Sequence, residues 1–148
     1  MGMFDGLNIS ASGLTAQRLR MDVISSNIAN ADTTRDKQVN GQWQPYRRKI
    51  VEMSPANSPF QSFLNQAVGS SAGSGVKVTE ITEDQTPFNM TYEPYHPDAD
   101  NNGYVRTPNV DPLKEMVDLM NSQRSYEANV TVMNANKSML TKALEIGK

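Results

Sequence analysis

Cysteine is absent from all 148 residues. That excludes disulfides, thiolate-bound zinc and a cysteine nucleophile together, and leaves the redox compartment open. Long apolar runs are missing as well: no stretch approaches the roughly 18 apolar residues of a membrane span. Met1-Gly2-Met3-Phe4-Asp5-Gly6 has no basic segment and no apolar run behind it, so export, if it occurs, is expected by a route without a cleaved signal. Gly6 stands where N-myristoylation needs Ser or Thr. An excess of one charge is lacking too. The 14 Lys and Arg against 16 Asp and Glu leave a net −2, which argues against a nucleic-acid binder. Apolar residues reach only 37% and aromatics 7%, thin for a compact enzyme of this length. Such a chain is expected to be elongated, or to have ends that only partners bury.

What is present begins with two helical rhythms. Steps of three and four from Phe4 give Leu7, Ala11, Leu14, Arg18, Met21, Ser25 and Ile28, and six of the eight are apolar. Leu7, Leu14, Met21 and Ile28 recur every seventh residue, the mark of a narrow heptad seam. Gly6 and Gly13 weaken this helix by roughly 1 kcal/mol each if they lie in its interior. The second rhythm follows Asn109-Val110-Asp111-Pro112, where Asp111 suits an N-cap and Pro112 the first helical position. Met116, Leu119, Gln123, Tyr126, Val130, Met133, Lys137, Leu140 and Leu144 then keep the same steps, seven of nine apolar. Neither proline nor glycine interrupts the run before Gly147. A helix of about 35 residues, near 50 Å, is expected there.

The middle of the chain reads differently. Tyr46–Met53 and Val76–Ile81 look extended and are expected to form a long hairpin, with residues 54–75 as its irregular tip. Gly69-Ser70-Ser71-Ala72-Gly73-Ser74-Gly75 reads as a loop. Residues 87–112 hold five of the eight prolines and are expected to return irregularly to the last helix. The fold class is therefore mainly α with a β/irregular insert. Long N- and C-terminal helices pack as an antiparallel coiled coil, with residues 1–34 and 109–148 as that layer and 35–108 as the insert. Helices with such narrow seams gain stability from packing rather than propensity, so the ends of a free monomer are expected to be largely disordered.

Few constellations carry chemistry. Asp98-Ala99-Asp100-Asn101-Asn102-Gly103 matches the first half of a calcium loop. Its twelfth position, however, falls on Asn109 rather than a bidentate Glu, and Pro94 and Pro97 forbid an entering helix. The segment reads as an Asx-rich turn. His96, flanked by those prolines, has no second histidine and no nucleophile motif beside it. No glycine-rich phosphate cradle is present. No cofactor, metal, nucleic-acid or small-molecule partner is expected. Arg47-Arg48-Lys49, near Trp43 and Tyr46, is a candidate protein contact. Asn27, Asn30, Asn121, Asn129, Asn134 and Asn136 are many for helices built only for stability, because Asn competes with its own backbone. As a set they favour helices packed into a defined multichain assembly. A cytosolic coiled-coil adaptor and a small calcium-binding module are the alternative readings.

Ser26-Asn27-Ile28-Ala29-Asn30-Ala31-Asp32-Thr33-Thr34 resembles the signature closing the N-terminal helix of flagellar rod and hook axial proteins. Gln123-Arg124-Ser125-Tyr126-Glu127-Ala128-Asn129 resembles that family's C-terminal signature. Tyr46-Arg47-Arg48-Lys49, the segment from His96-Pro97-Asp98 through Gly103-Tyr104-Val105, and Pro108-Asn109-Val110-Asp111 narrow the likeness to a proximal-rod subunit. The resemblance implies a non-catalytic subunit of the bacterial flagellar basal body. Such a subunit is exported by the flagellar type III apparatus and assembles helically in the periplasmic space into a hollow, torque-bearing shaft. Implied partners are further copies of the chain, the rod subunits FlgB, FlgF and FlgG, FliE, and the export apparatus. The implied assembly surface comprises Leu7, Leu14, Met21, Asn27, Ile28 and Asn30 with Met116, Leu119, Tyr126, Asn129, Val130, Met133, Leu140 and Leu144.

Overall fold

The computed structural model describes residues 4–39, 41–56 and 75–146. Its elements, in chain order, are α1 (Asp5–Ala29), β1 (Lys37–Val39), β2 (Gln42–Gln44), β3 (Lys49–Pro55), β4 (Val76–Glu83), β5 (Asn89–Tyr92), β6 (Tyr104–Thr107) and α2 (Pro112–Ile146). Two helices and three two-stranded sheets make up the described chain, as a mainly α protein with a β insert requires. It divides into two compact units. One combines Met1–Arg20, Glu52–Glu80 and Asn121–Lys148; the other combines Met21–Val51 and Ile81–Met120.

Local chemistry sets the helix ends. Asp111 caps α2: its Oδ1 accepts from the Leu113 N–H at 3.0 Å and the Lys114 N–H at 3.4 Å, and Pro112 opens the first turn. The 35 residues of α2 extend about 52 Å, close to the expected length. Gly147, the expected stop, lies outside the described residues. At the end of α1, Asn30 turns back on the helix. Its Nδ2 donates to the Ser26 carbonyl at 2.9 Å, and its Oδ1 accepts from Thr33 Oγ1 at 3.2 Å. The Ser26 carbonyl, which also accepts from the Asn30 N–H at 3.1 Å, thus holds two hydrogen bonds from one residue.

In the first unit, α1 meets α2 through small residues. Ser10, Ala16 and Ser122 are buried. A methyl group on Gly6 would lie 3.0 Å from Asn136 Nδ2, and one on Gly13 would lie 3.3 Å from Asn129 Nδ2. Position rises along one helix as it falls along the other, so these segments run antiparallel. β3 and β4 pair, with the Ala56 N–H donating to the Gly75 carbonyl at 2.7 Å and Thr79 Oγ1 to the Glu52 carbonyl at 3.2 Å. The expected hairpin is thus present, while most of its tip, residues 57–74, lies outside the described residues. Ser12 Oγ accepts from the Val76 N–H at 3.0 Å and fastens the start of β4 to α1.

In the second unit, β3 begins at Lys49 rather than Tyr46, because the preceding backbone bonds elsewhere. The Tyr46 N–H donates to the Thr33 carbonyl, and the Arg48 N–H to Asn109 Oδ1. β1 and β2 are antiparallel with Lys37 opposite Gln44, and Gly41 turns between them at φ +81°. The expected irregular return over 87–112 contains a hairpin instead: β5 and β6 pair from Asn89 opposite Thr107 to Tyr92 opposite Tyr104. Tyr92 and Tyr104 pack edge to face with centroids 5.3 Å apart, the cross-strand contact that proline counting did not reveal. Among the described residues, this unit buries Val23, Ile24, Tyr46, Val105 and Val110, with Pro45 and Pro108 beside them in sequence. That is a small core for three hairpin pieces, each marginal alone.

Candidate functional site

Polar side chains do much of the work that this small core cannot. Asn27, 1% exposed, sits on α1 where a side chain reaches both the start of β3 and the start of α2. Its Nδ2 donates to the Lys49 carbonyl at 2.9 Å and to Glu115 Oε2 at 3.0 Å. Its Oδ1 accepts from Tyr46 Oη at 3.0 Å and from the Lys49 N–H at 2.9 Å. Every donor and acceptor of the amide is occupied, which is what permits its burial.

Glu115 is fully buried in the first turn of α2, where the helix N-terminus favours an anion. Its other oxygen accepts from Arg48 Nε at 2.6 Å. Arg48 also lies 3.7 Å from Asp84 and 3.6 Å from Asp118, so one guanidinium is shared among three carboxylates. The Asp84 carboxyl is held below its ordinary value first by the Thr86 N–H, then by the Thr86 hydroxyl and Arg48. Asn109 completes the knot. It accepts from the Arg48 N–H at 2.9 Å and donates to the carbonyls of Asp84 and Thr86 and to the Thr86 hydroxyl. Both carboxylate oxygens of Glu115 thus have a hydrogen-bond donor, which is what permits its burial.

The basic cluster is engaged inside the same unit. The Arg47 guanidinium stacks 4.4 Å above the Phe88 ring and donates to the Asp84 carbonyl, while Lys49 Nζ lies 5.3 Å from the Tyr46 ring. Asp98 is occupied as well. Its carboxylate accepts from Thr34 Oγ1 at 2.9 Å and Arg35 Nε at 2.7 Å, and Arg35 holds it below the ordinary range. The calcium-like segment is a turn: the Gly103 N–H donates to the Asp100 carbonyl, the Asp100 N–H to the Tyr104 carbonyl, and Gly103 has φ +79°. Among the described residues no group of three or more His, Asp or Glu could hold a metal ion. One cleft of about 370 Å³ is lined by Thr34, Gln42, Trp43, Asp98, Asp100 and Arg106.

The heptad positions are half-buried rather than sealed. Leu7, Leu14, Met21 and Ile28 on α1 are intermediate in exposure, as are Leu119, Tyr126, Asn129, Val130, Met133 and Leu140 on α2. Met116 and Leu144 are exposed. At the start of α2, Leu113 (75% exposed), Met116, Val117 and Met120 fall at i, i+3, i+4 and i+7 and form an apolar stripe in water. Farther along, Val132 and Met139, one heptad apart, are likewise exposed. Contiguous exposed apolar stripes of this kind mark surfaces that another chain covers. Sequence reasoning missed Glu115 and Asn109 and offered Arg48 only as part of a candidate protein contact. A carboxylate in the first turn of a capped helix was the one local hint.

Comparison with known proteins points the same way. Residues 7–35 match the family described as flagella basal body rod protein, and residues 101–146 match flagellar basal body rod FlgEFG protein C-terminal. The chain is 64% identical to flagellar basal-body rod protein FlgC of Bacillus subtilis (strain 168), over all of both chains. It is 44% identical to FlgC of Borreliella burgdorferi over 99% of this chain and 98% of that one. It is also 44% identical to FlgC of Escherichia coli O6:H1 over the full length of both.

Proposed function

Because this chain belongs to the flagellar basal-body rod protein FlgC family, we infer that it is a structural subunit of the basal-body rod and performs no catalysis. The observation that carries this reading is the 64% identity that runs from end to end with no part of either chain left over. The chain works by assembling with other flagellar components at the basal body. Its proximal-rod neighbours are further copies, FlgB, FlgF, FlgG and FliE, and the type III apparatus exports it.

Mechanically, residues 1–34 and 109–148 form the inner layer of a hollow shaft, packed as antiparallel coiled coils, and residues 35–108 form the insert between layers. Leu7, Leu14, Met21 and Ile28 meet Met116, Leu119, Tyr126, Val130, Met133, Leu140 and Leu144, partly within one subunit and partly between subunits. Asn27, Asn30 and Asn129 set the register, and Arg47, Arg48 and Lys49 border a contact with a neighbour. The exposed stripe Leu113–Met116–Val117–Met120 supports this arrangement, since a monomer leaves it wet. Each such side chain stabilises the assembly by roughly 1.5–3 kcal/mol when fully covered. Head-to-tail contacts that do not close a ring generate a helical tube, which transmits torque and encloses an export channel. Isolation of detergent-resistant basal bodies, followed by immunodetection, tests the reading. The chain is expected in the rod fraction; a chain found only in the soluble cytosol would instead be the coiled-coil adaptor.

A further inference from the structure

Gly6 and Gly13 are the least helix-favouring residues of α1, yet they stand seven apart on it. Asn136 and Asn129 stand seven apart on α2. The structure sets each glycine against one of these amides. A methyl group on Gly6 would meet Asn136 Nδ2 at 3.0 Å, and one on Gly13 would meet Asn129 Nδ2 and Oδ1 both at 3.3 Å. Asn129 cannot simply swing aside, because its Nδ2 donates to the Ser125 carbonyl at 2.9 Å and pins the amide against its own helix. Each glycine is therefore a notch, and each asparagine is the knob that fills it.

We propose that Gly6–Asn136 and Gly13–Asn129 are a two-rung register lock that selects one antiparallel alignment of the terminal helices. A heptad seam alone cannot make this choice, because a slip of seven residues restores apolar opposite apolar. The rungs break that degeneracy. Slipping one heptad one way keeps an asparagine on one notch, with Gly6 opposite Asn129, but sets Gly13 opposite Ser122, which leaves a gap. Slipping the other way sets Gly13 opposite Asn136 but forces Asn129 against Arg20, whose long side chain has no notch to offer. A buried or half-buried asparagine that fixes register at some cost in stability is a known use of polar seam positions. Here the glycines are what make the asparagines fit. The inference deepens the coiled-coil reading above by naming the residues that fix its alignment.

The test is a mutant cycle in the full chain: Gly13→Ala, Asn129→Ala and the double substitution. Helix propensity alone predicts that Gly13→Ala favours the folded form about fivefold in either background. The lock predicts a reversal. With Asn129 present, Gly13→Ala lowers recovery of the chain in isolated basal bodies at least tenfold and lowers the urea midpoint of the purified chain. With Asn129→Ala beside it, recovery returns and the midpoint rises above that of Asn129→Ala alone. Equal effects of Gly13→Ala in the two backgrounds would overturn the lock while leaving the rod assignment standing, since the unsubstituted chain is still recovered from basal bodies. If the unsubstituted chain were not recovered there, the rod assignment would fall, and the urea midpoints would still decide the lock.

Discussion

Asn27 shows how one residue can replace a hydrophobic core. Its four hydrogen bonds reach Lys49 at both backbone groups, Tyr46 and Glu115, so helix α1, strand β3 and helix α2 are aligned through one amide. Asn27→Ala strands all of those partners, and buried groups left unpaired cost about 1–3 kcal/mol each before relaxation and water entry. We expect a net loss of roughly 3 kcal/mol or more, read as a lowered urea midpoint. Tyr46→Phe removes one hydroxyl from the same network and is expected to cost about 1 kcal/mol. If the two variants fall equally, Asn27 is not the hub. Gly103 answers to a different constraint. Its φ of +79° and the 3.0 Å approach of Tyr92 Cε2 to any added methyl leave no place for a side chain. Gly103→Ala is expected to destabilise the β5–β6 hairpin by about 1–2 kcal/mol, seen as loss of the Tyr92–Tyr104 ring-current shifts in proton NMR.

Between elements, ion pairs take over from packing. Asp98, in the β5–β6 connection, is tied to Arg35 behind α1, and Glu83 at the end of β4 is tied to Lys37 on β1. Both carboxyls are held below their ordinary values of 3.8 and 4.5, Asp98 mainly by Arg35 and Glu83 mainly by Lys37. A depressed folded-state value means that the ties contribute fully above the unfolded-state value and are lost as pH falls through the folded one. The hairpins should therefore loosen below about pH 4. Arg35 and Lys37 are raised by the same pairs and stay charged throughout that range, the Lys37 contribution being lost only above 10.5. Trp43, the sole tryptophan and a member of β2, reports on this directly. Its emission should shift between pH 5 and pH 2, and Asp98→Asn should remove part of the shift. An unchanged profile in that variant would show the tie to be idle.

Across the whole molecule, what stands out is how much apolar surface both helices leave half-covered. In the proposed shaft that surface is the assembly surface, and a charge placed within it cannot be solvated once a neighbour arrives. Met133→Asp is expected to leave synthesis and cellular level unchanged while abolishing recovery of the chain in basal bodies and swarming on soft agar. Normal motility in that variant would remove the seam from the mechanism. The enclosed interior of each unit is poor in large apolar groups, so partner contacts weigh heavily in its stability.

Local chemistry was legible from the sequence alone because it acts within a few residues. Asp111-Pro112 announced the start of α2, the unbroken run to Gly147 gave its length, and Asp98–Gly103 read as a turn. The family signatures around Asn27 and Tyr126 named the class of protein, since the end-to-end relatives carry the same description. The tertiary structure alone decided which side chains meet. Asn27 and Glu115 are 88 positions apart, and nothing near either in sequence says that they share a hydrogen bond. Arg48 read as a candidate contact with another protein, and only the fold shows Asp84, Glu115 and Asp118 of the same chain beside it. Gly6 and Gly13 looked like flaws in a helix until α2 brought Asn136 and Asn129 to them. Propensity and capping are properties of a segment, whereas a notch, a buried charge and a register exist only where two segments meet.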